Sequence, residues 1–311
     1  MTPFILRRAG QAAIVLFGAA TIVFFAMRLV PGDPATVLLG PDAGDDAVAQ
    51  LRERLGLDQP LLVQYGVFLQ RALTLDFGES VRLADSAAAL VFGHFGATAL
   101  LAGCALLIAL VIGFPLGAWA ASRPDGVVDR VVSTVSMTTQ SLPTFWVGIM
   151  LVLIFSRILH LLPSFGAGSP QAIVMPAVTL ALPLVSVIVR LVRTGLLEVL
   201  SEDYIVTARA KGLPERQVLR AHAVRNMLIP VSTVVALEFG GLLGGAVIVE
   251  TVFAWPGIGR LMTDAIAARD YAVVQACVLT VAFVFVTINF LVDLLYGVLD
   301  PRIRRAGGTV R

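Results

Sequence analysis

Long runs of apolar residues, separated by short polar segments, dominate the chain. A helix needs about 20 apolar residues to cross the hydrocarbon core of a bilayer. Six runs reach that length, and they cover about 9–30, 96–121, 131–156, 172–192, 231–250 and 272–295. The pattern therefore predicts an all-α integral membrane protein with six transmembrane helices.

The first apolar run follows two arginines, as the apolar region of a secretory signal peptide does. The run exceeds the roughly 7–15 apolar residues of such a region, and no clear small-residue cleavage site follows it. We therefore expect a retained first span. The predicted organisation is an N-terminal tail and first span at 1–30, an extracytoplasmic segment at 31–95, a five-span core at 96–300 and a cytoplasmic tail at 301–311.

The segment between the first two runs is too long to be a simple connection. Asp45 is placed to begin a short helix, and Gly56 is placed to end it. A second short helix is indicated by residues at helical spacing, namely Leu62, Tyr65, Leu69 and Leu73. We expect both amphipathic helices to pack on the outer mouth, either as a structural cap or as a docking surface for an external partner.

The basic residues are distributed unevenly between the two sides of the predicted bundle. Only 14% of the residues are charged, against about 25% in soluble domains. If the N-terminus is cytoplasmic, fifteen Lys and Arg residues fall on the cytoplasmic side, whereas the short outer loops hold only Arg157, Arg260 and Arg269. Because cytoplasmic loops carry the excess of basic residues, both termini are predicted to be cytoplasmic.

Residues with catalytic or metal-binding chemistry are few and scattered. Cys104 and Cys277 lie in apolar runs, and neither they nor the three histidines have metal-ligand spacing. A nucleotide-binding P-loop needs a lysine followed by Ser or Thr, whereas the only lysine, Lys211, is followed by Gly212. We expect no metal site, no cofactor and no ATPase site in this chain.

The polar stretch at 198–230, between the fourth and fifth runs, has more structure than a simple basic loop requires. Ser201 suits the N-cap of a short helix, Gly212 suits its left-handed end, and Pro214 suits the first turn of a second helix. Ala208 and Gly212 are four residues apart and so share a face, where small residues let a partner approach closely. We interpret this stretch as a protein-docking element. Its candidate contact residues are Glu202, Asp203, Tyr204, Ala208, Arg209, Ala210, Lys211, Gly212, Leu213, Glu215, His222, Arg225 and Asn226.

Ionisable residues at membrane depth are costly and are therefore functional candidates. Glu238 lies near the middle of the fifth run, where it would either attract a substrate amine or cation or hydrogen-bond a partner's helix. Glu250 and Asp293 lie nearer the span ends, and we expect nearby backbone groups or arginines to satisfy them. The candidate residues of a translocation path are Glu238, Gly241, Gly245 and Asn289, of which the two glycines form a small-xxx-small face.

The loop resembles that of a known family of transport proteins. The sequences DYIVTARAKGL at 203–213 and HAVRN at 222–226 are similar to the cytoplasmic loop of ATP-binding-cassette (ABC) importer permeases, in the dipeptide/oligopeptide/nickel subfamily. The chain looks most like the first, B-type, permease of the pair. Further matching segments follow in order along nearly the whole chain, namely VPGDP at 30–34, LGLDQP at 55–60, LDFGES at 75–80, ETVFAWPGIG at 250–259 and DPR at 300–302.

This resemblance implies a type I importer fold, in which two different permease subunits form the pore. The implied partners are a second, C-type, permease, two ABC ATPase subunits that bind ATP and Mg²⁺, an extracytoplasmic substrate-binding protein and the lipid bilayer, without nucleic acid. The helix carrying Ala208 and Gly212 would be the coupling helix, seated in an ATPase groove. The implied location is a bacterial or archaeal plasma membrane. Di- or oligopeptides are the expected substrates, with nickel complexes, glutathione and other small solutes as alternatives.

Two other classes of membrane protein are compatible with the apolar spans. An ion-coupled secondary transporter needs its own ion site, usually at broken helices in inverted repeats, and the sequence contains no evident internal repeat. An intramembrane enzyme needs a catalytic pair at membrane depth, and none is evident. Co-purification with ATPase subunits would distinguish an importer permease from both.

Overall fold

The computed structural model describes residues 2–29, 34–40, 43–54, 56–80, 82–212, 214, 217 and 224–299. Regular structure in these residues is helical, apart from one isolated β-bridge between Glu79 and Ser86. The helices are α1 (Thr2–Leu29), α2 (Pro34–Leu39), α3 (Asp45–Arg54), α4 (Leu61–Leu73), α5 (Ala87–Ala121), α6 (Val127–Ser141), α7 (Thr144–Leu151), a π-helical segment (Val152–Ile158), a 3₁₀ turn (Pro170–Ile173), α8 (Val174–Leu200), α9 (Asp203–Ala210), α10 (Arg225–Val252), α11 (Ile258–Ala267) and α12 (Tyr271–Leu299).

The predicted number of membrane spans agrees with the structure once one bent helix pair is counted as a span. Five segments are long and apolar enough to cross a bilayer: Phe4–Leu29, Ala87–Ala121, Pro170–Leu200, Val234–Val252 and Tyr271–Leu294. The sixth candidate is the pair formed by α6 and α7 with its π-helical extension, whose two halves meet at 100°. The all-helical membrane fold predicted from the sequence is therefore confirmed.

The prediction of one continuous third span over 131–156 is wrong. The helix breaks at Leu142, whose backbone is extended with φ −80° and ψ 132°, and α7 starts directly after Pro143. Proline has no amide N–H to donate, and its ring disfavours a helical conformation in the preceding residue. In the sequence Pro143 marks a place where the span could kink, but the lack of any charge from 131 to 156 favours one continuous helix.

The outer segment contains the short helices that the sequence predicts, although its boundary differs. α3 begins at Asp45, and Gly56 beyond its end has a φ of +67°. α5 begins at Ala87, so the second long helix starts within the range assigned to the outer segment. α4 covers the second predicted helix, but its residues do not share one environment. Tyr65 packs towards α1, whereas Leu73 is 88% exposed.

The centre of the bundle is the contact between α5 and α8, where two backbones approach closely. A Cβ atom on Gly113 would lie 2.9 Å from Cγ2 of Ile188, and one on Gly117 would lie 2.7 Å from the carbonyl oxygen of Val189. Small residues at this spacing let membrane helices approach closely. A Gly-x-x-x-Gly pair therefore locks α5 against α8.

The two buried or half-buried acids near the span ends are satisfied within the chain, as the sequence predicted. Glu250 is fully buried near the C-terminal end of α10, where its carboxylate accepts hydrogen bonds from the Thr98 hydroxyl at 2.7 Å and from the Gly259 N–H at 2.7 Å. Asp293, near the C-terminal end of α12, pairs with Arg8 of α1 at 3.2 Å. Each contact ties separate helices together at one end of the bundle.

Candidate functional site

The docking element predicted at 198–230 begins as an extension of α8. Ser201 follows the last helical residue, and its hydroxyl donates to the carbonyl oxygen of Glu198 at 2.7 Å. The prediction that Ser201 caps the next helix is wrong, because its side chain instead adds a second hydrogen bond to a carbonyl of the last turn of α8, which also accepts the Ser201 N–H. Glu202 occupies the N-cap position of α9 with an extended backbone and no side-chain cap hydrogen bond.

α9 is held against the end of α8 by the face on which its small residue lies. Ile205 is fully buried, Ala208 is 7% exposed, and both pack against Leu200. The prediction that Ala208 presents a small face to a partner is therefore wrong, because this chain already covers that face. The outward face carries Tyr204, which is 41% exposed, and Val206, which is 57% exposed.

The charged residues at the two ends of α9 have the signs that favour a helix. Asp203 lies in the first turn and Arg209 in the last turn, where each charge is favourable to the helix dipole. Glu202, Ala210 and Lys211 are exposed. A helix of eight residues is marginal in isolation, so packing on Leu200 is a principal source of its stability.

Gly212 ends α9 in the left-handed conformation that the sequence predicted. Its φ is +78°, and a Cβ atom placed on it would meet nothing within 4 Å. The remaining candidate residues are described only in part. Arg225 and Asn226 begin α10, with their side chains outside the description, and three more lie outside the described residues altogether, namely Leu213, Glu215 and His222.

The four candidate path residues have different surroundings in the structure. Glu238 is half-buried on α10, and Gly241 one turn later is exposed, where an added Cβ would meet nothing within 4 Å. A Cβ on Gly245 would instead lie 3.5 Å from Leu180 of α8. Asn289 on α12 donates to the carbonyl oxygen of Phe285 at 2.8 Å, within its own helix.

A buried ion pair that the sequence analysis missed lies close to the docking element. Asp129 near the start of α6 is 3% exposed and accepts from Nη2 of Arg193 on α8 at 2.7 Å, with a second contact from Nε of the same guanidinium. The backbone N–H of Asp125 also donates to this carboxylate at 3.0 Å, and the Ser133 hydroxyl donates at 3.3 Å. The sequence contains both charged residues but no motif that pairs them across 64 positions.

No potential metal site was found in the described part of the chain, since no three His, Cys, Asp or Glu side chains are grouped to hold an ion. The docking element offers surfaces suited to binding another protein. It comprises an apolar and aromatic outward face on α9, charged helix ends, and a firm connection to a long membrane helix.

Comparisons with known proteins place these features in a family context. The model of the binding-protein-dependent transport system inner membrane component matches residues 113–305, and the model of the N-terminal part of such membrane components matches residues 1–94. The chain is 41% identical over 304 residues to a glutathione transport system permease protein of Salmonella choleraesuis, covering 98% of this chain and 99% of the relative. It is 40% identical over 312 residues to a putative peptide transport system permease protein of Brucella abortus, with the same coverage.

Solved structures support the same fold. An inward-facing form of the MetNI methionine ABC transporter superposes on 68% of this chain and 96% of its own, with a TM-score of 0.58 and 20% sequence identity. A second crystal form of that transporter superposes with a TM-score of 0.52 and 21% identity, on 70% of this chain and 95% of its own.

Proposed function

The chain belongs to the family of binding-protein-dependent transport system inner membrane components and is a permease subunit of an ABC importer; from this we propose that it forms half of a pore for di- and oligopeptides. A second, C-type, permease forms the other half. Two ABC ATPase subunits bind ATP and Mg²⁺, since this chain has no P-loop of its own. An extracytoplasmic binding protein delivers the substrate.

The observation that carries this proposal is the position of α9 at the end of α8. The buried side of α9 holds it on Leu200, so the exposed side, with Tyr204 and Val206, is the surface that an ATPase subunit contacts. The positive-inside distribution of arginines supports a cytoplasmic position for this element and for both termini. The membrane is the plasma membrane of a bacterium or archaeon.

Force from the ATPase subunits reaches the pore through packed contacts. α9 presses on α8 through Ile205, and α8 is locked to α5 at Gly113 and Gly117. Arg193 passes the same displacement to α6 through its ion pair with Asp129. ATP-driven closure of the ATPase pair therefore moves a set of interlocked helices together, which exposes the pore to one side and then to the other.

A charge placed on the outward face of α9 tests the docking surface. We expect Val206→Asp to reduce the ATPase subunits that co-purify with the chain and to reduce uptake, because burying an unpaired carboxylate in an interface is costly. Val127→Asp is the matched control, since Val127 is 79% exposed at the start of α6, on the same side of the bundle. If equal amounts of ATPase subunit co-purify with both variants, the outward face of α9 is not the ATPase contact.

Uptake into proteoliposomes that contain the assembled complex and the binding protein tests the substrate. We expect ATP-dependent accumulation of a labelled dipeptide or oligopeptide, and no accumulation driven by an ion gradient alone. Accumulation that an ionophore abolishes while ATP is present would instead favour an ion-coupled secondary transporter. Uptake of each candidate substrate by Glu238→Gln tests whether that residue lines the translocation path. Unchanged uptake kinetics would exclude that role.

Glutathione is the second candidate substrate, because the relative at 41% identity is named for glutathione transport. Glutathione is itself a small peptide with two free carboxylates, so the same pore chemistry serves both candidates. Nickel complexes and other small solutes are further alternatives. Ligand binding to the cognate binding protein, measured with a dipeptide, an oligopeptide, glutathione and a nickel complex side by side, decides between them.

A further inference from the structure

α4 packs against the outer half of α1 through an aromatic cluster. The ring of Phe24 lies 5.0 Å from that of Tyr65 and 5.4 Å from that of Phe68, measured between centroids. The Tyr65 hydroxyl forms a hydrogen bond of 2.6 Å with the Thr21 hydroxyl. Arg28 near the end of α1 donates to the Gln64 side chain at 2.7 Å. α4 is therefore a fixed neighbour of the first span.

The hydrogen bond between Thr21 and Tyr65 sets the depth of α4. Thr21 stands eight residues before Leu29, the last residue of α1, which is about 12 Å along the helix axis. The candidate span Phe4–Leu29 has 26 residues and is about 39 Å long, against a hydrocarbon core of about 30 Å. With the core centred on that span, Thr21 lies roughly 7 Å inside its outer boundary. Tyr65 reaches the same depth.

α4 carries an apolar stripe beside the face that packs on α1. Leu62 is 82% exposed and Leu73 is 88% exposed. Gly66, which is exposed, and Leu69, which is half-buried, fall between them at helical spacing, so these four positions form one stripe along the helix. In water such a stripe would be unfavourable, whereas an amphipathic helix lying in a membrane interface buries it among acyl chains.

We propose that α4 lies in the outer leaflet beside α1 and that its leucine stripe, Leu62, Gly66, Leu69 and Leu73, contacts lipid acyl chains. The position of Arg28 near the end of α1 also supports this placement. Its guanidinium lies 3.4 Å from the centre of the Phe24 ring, one residue before the end of α1. That position corresponds to the headgroup level, where a basic group stays hydrated while its stem packs on apolar surface. The outer segment is therefore partly a membrane element.

Quenching of a fluorophore attached to the stripe tests the proposal. Leu62→Cys and Leu73→Cys are each made in a chain whose two native cysteines are replaced by alanine, labelled with bimane, and reconstituted in nanodiscs together with the subunits that co-purify. Each sample is measured with phosphatidylcholine that carries a nitroxide on its acyl chain, and separately with iodide in the buffer. Gln50→Cys is the control, because Gln50 is an exposed residue of the polar helix α3.

We expect both stripe labels to lose most of their fluorescence to the acyl-chain nitroxide and little to iodide, and the Gln50 label to show the reverse. Iodide quenching at Leu62 and Leu73 equal to that at Gln50 would place α4 in water. Protection from both quenchers would place the stripe under another protein subunit. Either of these outcomes overturns the proposal, and neither bears on peptide import, since the measurement requires no transport.

Discussion

Arg193 of α8 binds the carboxylate of Asp129 of α6 through two guanidinium nitrogens, and the two residues differ greatly in their access to water. The Arg193 side chain is 28% exposed, whereas the Asp129 side chain is 4% exposed. Arg193 stands seven residues before the end of α8, about two turns from α9. The pair therefore fixes the start of α6 to the part of α8 that carries the docking element.

Removing the arginine should cost more stability than neutralising the aspartate. Arg193→Met removes the partner of a carboxylate that is only 4% exposed, and a charge left unpaired at such a position is destabilising. Asp129→Asn leaves a neutral amide beside an arginine that reaches water, so its effect should be smaller. Thermal unfolding of the purified complex measures both, and the double variant should recover part of the loss. Equal midpoints for the two single variants would contradict the assignment of Asp129 as the buried partner.

A methyl group on Gly117 should disturb the bundle. The added Cβ would lie 2.7 Å from the Val189 carbonyl oxygen and 2.8 Å from Cβ of Val192. Because the first neighbour is backbone, the helices must move apart, and overpacking of this kind costs about 1–3 kcal/mol. Gly241→Ala is the control, since nothing lies within 4 Å of its added Cβ. A thermal midpoint for Gly117→Ala at or above that of Gly241→Ala would refute the close contact between α5 and α8.

A large side chain at the end of α9 should abolish transport without affecting membrane insertion. Gly212 has a φ of +78° and open space around it, so Gly212→Trp strains the backbone at that residue while projecting a ring beside the surface proposed to contact the ATPase. Gly56→Trp imposes comparable strain on the opposite side of the bundle, at a φ of +67° that is also open. We expect uptake to be lost only in the Gly212 variant, with both chains recovered from the membrane. Normal uptake by Gly212→Trp would rule out that contact.

The carboxylate of Glu250 should be needed to hold α11 in place. Both the Gly259 and the Arg260 N–H groups donate to one carboxylate oxygen. In Glu250→Gln the amide NH₂ either faces these two donors or faces the Thr98 hydroxyl, whose O–H then loses its acceptor. Leaving buried groups unsatisfied costs about 1–3 kcal/mol. Faster hydrogen exchange at the Gly259 and Arg260 amides is the expected result. Glu238→Gln, at a half-buried position of the same helix, should leave that exchange unchanged.

The sequence predicts the membrane spans well because each needs only a long run of apolar residues. It does not distinguish the break at Leu142 from a continuous helix, since 131–156 carries no charge and two other prolines in apolar runs, Pro115 and Pro183, lie inside continuous helices. Whether a proline ends a membrane helix depends on which neighbouring groups accept the freed backbone, and those neighbours are distant in the chain.

The candidate site is hard to predict for a similar reason, because the sequence does not show which face of a helix packs inward. Spacing places Ala208 and Gly212 on one side of a helix, but only the packing on Leu200 shows that Ala208 faces inward. Gly241 and Gly245 have the same spacing as Gly113 and Gly117, yet only the second pair sits in a backbone contact. A pattern of small residues indicates that close approach is possible and leaves the identity of the neighbour open.

The bend at Leu142 has a mechanical consequence for a pore that must open alternately to two sides. α5 and α8 touch through backbone atoms at Gly113 and Gly117 and cannot slide past each other freely, and Arg193 attaches α6 to the same block. α7 lies beyond an extended residue with no helical hydrogen bond across it. Leu142 and Pro143 are therefore the joint at which the chain turns by 100° between α6, which is tied to that block, and α7.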